Sequence, residues 1–232
     1  MARRDPGEIN AGSMADIAFL LLIFFLVTTT MDRDTGILRL LPPPVEDIVD
    51  PPVVKDRNVF EVLANADNQL LVEGELAEIS ELKDMAKMFM TNPENDPDLP
   101  ELKMLEASTV KQNLDQAKAN LQREPDNSDF KKTVKKWENK QIAIEEYGGS
   151  FKVLPNSAII SLQNDRKTSY NLYIQVQNEL AAAVNELRNA EAMKMYNVNY
   201  DDLNDQVEAD QRKMIAIRTK FPQRVSEAEP RE

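Results

Sequence analysis

Cysteine and histidine are both absent from the 232 residues of this chain. Their absence excludes disulfides, thiol nucleophiles, zinc fingers and every catalytic triad that uses imidazole. It leaves the redox compartment open, because a cysteine-free protein fits either side of a membrane. Glycine is scarce too, and none of the six glycines belongs to a phosphate-binding loop. The sequence therefore predicts a protein that is not an enzyme and that carries neither cofactor nor metal.

Basic residues are also in deficit, with 28 Lys and Arg against 40 Asp and Glu. The formal net charge is −12, and binding to nucleic-acid phosphates needs a basic face, so no nucleic-acid partner is predicted. The mean hydropathy of −0.49 is typical of a mostly soluble chain. One long apolar stretch near the N-terminus departs from that average.

This stretch covers residues 11–31, and Asp16 is its only charged residue. As a helix it would extend roughly 31 Å, close to the thickness of one hydrocarbon core. Its uncharged part, residues 17–31, would cover only about 22 Å, so Asp16 lies within the apolar layer or the bilayer thins around the helix. We therefore predict one transmembrane helix over 11–31.

A cleaved signal peptide is the alternative interpretation of the same segment. Arg3 and Arg4 would supply its basic region, but Asp16 interrupts its apolar region and no Ala-x-Ala site follows Val27. The pattern therefore favours an uncleaved anchor. The two arginines also favour a cytoplasmic tail over residues 1–10 and an exported C-terminal part.

Asp16 is the candidate functional residue of this helix. Placing an ionised carboxylate at mid-membrane costs about 2.5–3.5 kcal/mol, and removal from water favours the protonated form. One interpretation is that Asp16 binds and releases a proton; the other is that it lies near the inner interface, where water reaches it. At steps of four, three, four and three, the same helix face carries Asp16, Leu20, Ile23, Val27 and Thr30.

The segment around Asp16 resembles the ExbD/TolR family of proton-driven membrane subunits. Ile9 and Asn10 precede Asp16 by the spacing typical of that family, and Leu41-Pro42 follows the apolar stretch. The residues that typically lie between the Asn and the Asp in that family include a Thr-Pro pair, and in this chain they are replaced by AGSMA. The resemblance is specific over residues 8–44.

Further along, the resemblance is looser over 59–90 and 157–190, and residues 92–150 look like an insertion. It implies a single-pass transmembrane helix plus a periplasmic α+β domain over 58–232, in this chain with an inserted αα-hairpin. It also implies a self-dimer inside an ExbB-like pentamer of multi-span subunits in the inner membrane. In such complexes the proton motive force energises a TonB-like protein and thereby outer-membrane transport, with the residue at the position of Asp16 as the proton carrier.

Residues 32–57 form a predicted periplasmic linker with prolines at 42–44 and 51–52, which exclude a helix. Polyproline II geometry would let it reach roughly 80 Å as a semi-rigid spacer, and an ordinary disordered linker is the equal alternative. That this segment reaches peptidoglycan or a partner is implied only by the family resemblance.

The remaining chain predicts a β-hairpin, several helices and two further strands. The predicted strands cover 58–64, 69–72, 158–162 and 224–226. The predicted helices cover 80–90, 101–122, 129–146, 168–196 and 201–218. Ser80 is the predicted N-cap of the first helix, and Thr168 or Ser169 is the predicted N-cap of the fourth. Helices 101–122 and 129–146 form the predicted αα-hairpin.

Two polar clusters have a structural and a functional interpretation. The pairs Lys131-Lys132 and Lys135-Lys136 are typical of a solvated helix face, and a contact with peptidoglycan or a partner is the alternative. Another set could suggest a site, although aromatic residues on a helix face usually belong to the core: Tyr170, Tyr173, Asp165 and Arg166.

Two functions of different classes remain compatible with the sequence. In the first, the chain is a proton-channel or motor subunit in which Asp16 responds to the proton motive force; a TolR-like role in envelope maintenance shares this chemistry. In the second, it is a membrane-tethered periplasmic binding or structural protein without an ion-conducting role.

Overall fold

The computed structural model describes residues 11–29 and 56–228. The chain divides into two units, Met1–Pro51 and Pro52–Glu232, and each is described by itself. In the first unit, helix α1 runs over Ala11–Thr29. The prediction for residues 30–31 and nearly all of the predicted linker lie outside the described residues, so the linker stays a prediction.

The second unit contains seven strands and five helices among its described residues. The strands are β1 Val59–Ala64, β2 Leu70–Val72, β3 Glu75–Ala77, β4 Lys103–Glu106, β5 Ser150–Val153, β6 Ile159–Asn164 and β7 Val225–Ala228. The helices are α2 Ile79–Thr91, α3 Ala107–Arg123, α4 Ser128–Glu146, α5 Tyr170–Tyr196 and α6 Glu208–Lys220. Two single 3₁₀ turns lie at Asp56–Asn58 and Tyr200–Asp202.

Five strands form one mixed sheet in the order β3-β2-β1-β6-β7. Strands β1 and β2 pair antiparallel, with Val62 opposite Val72, which confirms the predicted hairpin. Strand β6 runs parallel to β1, and β7 runs parallel to β6, which confirms the predicted terminal strand. Strand β3 was not predicted; it extends the hairpin through a turn at Gly74, where φ is +83°.

The main core lies between this sheet and helices α2 and α5. In β1 the side chains of Phe60, Val62 and Ala64 are buried, as their alternation in the sequence requires. The ring of Phe60 meets that of Phe89 from α2, with 5.2 Å between centroids. This α+β architecture confirms the fold class that was predicted for the exported part.

Helix α2 begins differently from the prediction. Glu78 occupies the N-cap, its side chain accepts from the backbone N–H at Glu81, and the Glu81 carboxylate accepts from the Glu78 backbone N–H. Two otherwise unpaired amides at the helix start are satisfied in this reciprocal way. The prediction that Ser80 caps the helix is therefore wrong.

The predicted helix over 101–122 is wrong at its start. Residues Lys103–Glu106 form β4, which pairs antiparallel with β5 and places Leu105 opposite Phe151. Both side chains are buried in a second core together with residues of α3, α4 and α6. Pairing with a strand more than 40 residues away overrides the local preference for helix, because it buries Leu105.

The predicted αα-hairpin is confirmed as α3 and α4. Asn127 caps α4 by accepting hydrogen bonds from the backbone amides of Asp129 and Phe130. The two helices bury Leu114, Ala117 and Val134 against each other. The insertion thus forms a substructure of its own, in which strands β4 and β5 flank the helical hairpin.

The last helix begins later than predicted, at Glu208 and not at residue 201. Asn204 accepts a hydrogen bond from the backbone amide of Gln206 and thereby stabilises a turn in place of a helix. Leu203, which lies within the predicted range, is buried but precedes the helix. Helix α6 packs against α4, so the C-terminal part of the chain completes the core of the insertion.

Ionic contacts join α4 to α6. Arg212 of α6 donates to Glu145 at 2.7 Å and to Glu146 at 3.3 Å, and the contact with Arg212 holds the pKa of Glu145 below its ordinary value. A further ionic contact joins α6 to α5: Lys220 donates to the buried carboxylate of Glu191 at 2.7 Å.

Replacing Arg212 by Gln is expected to destabilise the full chain at neutral pH and to have less effect in acid. Because the pKa of Glu145 is lowered in the folded state, the contact stabilises the fold above the unfolded-state pKa. That contribution is lost as the pH falls through the folded-state pKa. Urea unfolding of both proteins from about pH 7 to about pH 3 measures the difference. Lys131→Gln is the control, and a difference between wild type and Arg212→Gln that is constant over this range would contradict the assignment.

Candidate functional site

Asp16, the predicted proton carrier, lies in α1 one and a half turns from its first described residue. Its side chain is exposed, as are all the described large apolar side chains of this helix. Their exposed fractions run from 41% at Ile23 to 62% at Leu22. The helix therefore presents an apolar surface around its circumference, with Asp16 as the one charge among residues 11–29.

The predicted face with Asp16 is partly described. Asp16, Leu20 and Ile23 follow one another on one side of α1, as the helical spacing requires. Val27 belongs to the same helix, but its side chain lies outside the described part, and so does Thr30. The role of Asp16 stays a prediction.

None of the helices, over the described residues, combines the length and the apolarity that crossing a membrane requires. Helix α1 is present where the transmembrane helix was predicted, whereas its role as a membrane span is not confirmed.

The aromatic cluster near the start of α5 has structural roles. Asp165 accepts a hydrogen bond from the backbone amide of Lys167 and stabilises the turn between β6 and α5. The hydroxyl of Tyr173 donates to Glu227 of β7 at 2.6 Å, which fastens the edge strand to α5. Tyr170 is 76% exposed, so the prediction that it belongs to the core is wrong. Ser169 caps α5 by accepting from the backbone amide of Leu172.

All four lysines of the two pairs in α4 are exposed, which confirms the predicted solvated helix face. Lys132, Lys135 and Lys136 also line a cavity of about 490 Å³ that opens to solvent. The other lining residues are Asn139, Lys140, Asn156, Arg218, Thr219, Pro222 and Arg224. Sequence reasoning missed this cavity, because its basic residues come from segments about 80 residues apart in the chain.

A second cavity, of about 470 Å³, is largely apolar and lies where β1 meets α2. Phe60 and Phe89 form part of its wall, with the exposed Met88 at its rim. Arg57, which lines the cavity, donates a hydrogen bond to Glu101 at 3.0 Å. Glu73 also lines the cavity, and burial raises the pKa of its carboxyl group. No signal in the sequence indicated this cavity.

The structure shows no candidate metal site in the part of the chain that it describes. Within residues 11–29 and 56–228, no group of three or more Asp, Glu, His or Cys side chains is arranged to hold a metal ion.

The chain combines an apolar helix that carries one carboxylate with an α+β unit in which two helices pack on a mixed sheet. It thus belongs to the class of proteins that join a single apolar helix to a folded α+β unit. The family model of the biopolymer transport protein ExbD/TolR matches residues 2–189, and the chain belongs to this family. This finding confirms the resemblance inferred from the sequence. The match includes Asp16, the main sheet up to β6 and most of α5, and it ends before α6 and β7. No curated protein and no solved structure matched the chain.

Proposed function

We propose that this chain is the proton-carrying subunit of an ExbB-ExbD-type complex in the inner membrane, which energises TonB-dependent outer-membrane transport. The observation that carries the proposal is Asp16, the single charge in an apolar helix of a chain that belongs to the ExbD/TolR family. The proposal involves no enzymatic step, no cofactor and no metal.

Helix α1 would cross the membrane once, within residues 11–31. The exposed apolar side chains around the described helix support this placement, because such a surface is stable only against lipid or other apolar helices. Arg3 and Arg4 favour a cytoplasmic N-terminus, which places the α+β unit in the periplasm.

Asp16 would respond to the proton motive force by changing its charge. Burying the ionised carboxylate costs about 2.5–3.5 kcal/mol, and moving one charge through 100 mV releases about 2.3 kcal/mol. The two energies are comparable, so a protonation step at one carboxyl group can bias the position of the helix. A proton would enter from one side, neutralise Asp16 and leave to the other side.

Such a cycle requires helices from a partner. On a lone helix in lipid, Asp16 would have no water path to either side of the membrane. Both the uptake and the release of the proton by Asp16 need such a path. Leu20 and Ile23 on the same face offer an apolar surface against which a partner helix can pack. Membership of the ExbD/TolR family supports a multi-span ExbB-like pentamer around a dimer of this chain.

Force would then pass from α1 to the periplasmic unit through residues 32–57. That segment contains five prolines, and a semi-rigid proline-rich spacer would suit the transmission of motion to a TonB-like partner. Binding of the periplasmic unit to peptidoglycan would supply a fixed point against which the complex works.

Co-purification tests the assembly directly. The full chain, isolated with an affinity tag from its native membrane in a mild detergent, is expected to bring along a multi-span protein in stable stoichiometry. Mass measurement of the intact complex is expected to give two copies of this chain with several copies of the partner. Isolation of the chain alone, or only as a self-dimer, from membranes that contain the partner would contradict the proposal.

A further inference from the structure

We infer that the basic cavity between α4, α6 and the start of β7 binds a ligand that carries phosphate groups. This site lies in the second unit and is independent of the function proposed for Asp16. Six cationic side chains line the cavity: Lys132, Lys135, Lys136, Lys140, Arg218 and Arg224.

The spacing of the lysines concentrates them on one side of α4. Lys132, Lys135, Lys136 and Lys140 recur at intervals of three, one and four residues, which places all four side chains on one face of the helix. Tertiary structure adds the two arginines, because α6 packs against α4 and the chain then returns to the sheet edge through Pro222. The site thus exists only in the folded unit.

The arginines are held in place by neutral oxygen atoms. Arg224 donates to the backbone carbonyl of Pro155 at 2.6 Å and to the side-chain oxygen of Asn156 at 3.4 Å. The guanidinium of Arg218 donates to the hydroxyl of Tyr200. Both orientations are thereby fixed without neutralising the positive charge, as preorganised binding of an anion requires.

Negative charge is scarce around the cavity. Among the residues that the structure describes, no Asp or Glu lines it, and only Lys132 of the six cations forms an ion pair, with Asp129 at 3.1 Å. This is unusual in a chain of net charge −12, in which carboxylates are plentiful enough to pair every cation. Six like charges around one space repel each other, and a bound anion would offset that repulsion.

Lys140 is half-buried beside other cationic side chains. Burial, followed by the positive charges of Lys136 and Arg224, lowers the pKa of Lys140 below its ordinary value. Lys140 also lies over the ring of Trp137, with 4.1 Å from Nζ to the ring centroid. The aromatic face partly compensates its charge in place of a carboxylate.

Phosphate chemistry fits these residues best. The guanidinium fork of arginine matches two oxygens of a phosphate group, while lysine ammonium groups contact phosphate as point charges. A cavity of about 490 Å³ is larger than one phosphate ion requires, so a ligand with several charged groups is expected. Soluble polyphosphorylated compounds and phospholipid headgroups both offer this chemistry.

Titration of the full chain in an uncharged detergent tests the site. The probes are inorganic tripolyphosphate and short-chain phosphatidylglycerol, with short-chain phosphatidylcholine as the zwitterionic comparison. Saturable binding of at least one anionic probe is expected, and the probe that binds identifies a soluble or a lipid source. In the variant Lys135→Glu/Lys136→Glu, we expect that affinity to fall at least about tenfold, because charge-assisted contacts are lost.

A control variant with the same net charge distinguishes binding in the cavity from nonspecific attraction of anions to the whole chain. Lys111→Glu/Lys131→Glu changes two exposed lysines that do not line the cavity, and its affinity is expected to stay within about twofold of wild type. Equal weakening in both variants, or no saturable binding of either anionic probe, would overturn the inference. Retention on isolated peptidoglycan without any binding of the phosphate probes would also overturn it, since the cavity would then serve cell-wall carboxylates.

Discussion

Asp16→Asn is expected to reduce proton-driven transport to the level of cells that lack the chain, while the complex still assembles. Asparagine has nearly the shape of aspartate but cannot gain or lose a proton at physiological pH, so only the charge change disappears. The measurement is uptake of a siderophore or vitamin through a TonB-dependent transporter, in cells whose own copy is replaced by the variant.

Matched substitutions separate loss of proton transfer from loss of the helix. Leu21→Ala changes an exposed apolar side chain of α1 away from the face of Asp16, and it is expected to leave most of the uptake intact. Co-purification of the Asp16→Asn chain with its multi-span partner controls for assembly. Uptake at the normal rate in assembled Asp16→Asn complexes would exclude the proton-carrier mechanism.

The tether interpretation makes the opposite prediction for Asp16→Leu. If the chain only anchors a periplasmic module, removing the charge improves insertion into the membrane and leaves function unchanged. If Asp16 carries protons, Asp16→Leu abolishes uptake as completely as Asp16→Asn. One pair of variants therefore distinguishes the two classes of function.

Phe89→Ala is expected to destabilise the second unit by about 3–5 kcal/mol. Phe89 is 2% exposed and packs in α2 against Phe60 of the central strand, so its removal leaves a cavity in the main core. A loss of this size is a large fraction of the stability of a typical domain. Urea unfolding of the full chain in detergent, followed by circular dichroism, measures the effect.

The adjacent residue supplies the control for this prediction. Met88 is in the same helix but 56% exposed, and Met88→Ala is expected to change the free energy of unfolding by less than about 0.5 kcal/mol. Comparable losses in the two variants would contradict the assignment of Phe89 to the core between the sheet and α2.

Local patterns predicted the elements that bury one regular face. The alternation in β1 and its turn residues indicated the hairpin with β2, and the three-four spacing of apolar residues from Tyr173 onward indicated α5. Ser169 was among the predicted caps because a serine side chain at a helix start satisfies a free amide. The short strand β3 was missed, since two exposed residues followed by one half-buried residue give no clear alternation.

The errors fall where distant partners decide the structure. Residues Lys103–Glu106 form a strand only because Ser150–Val153 lies beside them, and nothing local signals that pairing. The lysines of α4 form a solvated face as predicted, but the cavity beside them was not predicted because Arg218 and Arg224 are far away in sequence. In both cases the deciding contact is long-range.

The sequence by itself determined the family, the single charge in the apolar helix and the α+β class of the second unit. Each of these depends on residue type and short spacing, which are properties of one segment at a time. Tertiary structure alone decided that the insertion and α6 share a core and that six cations surround one cavity. The physical reason is that burial and charge clustering depend on which segments meet, and that is set by the packing of the whole unit.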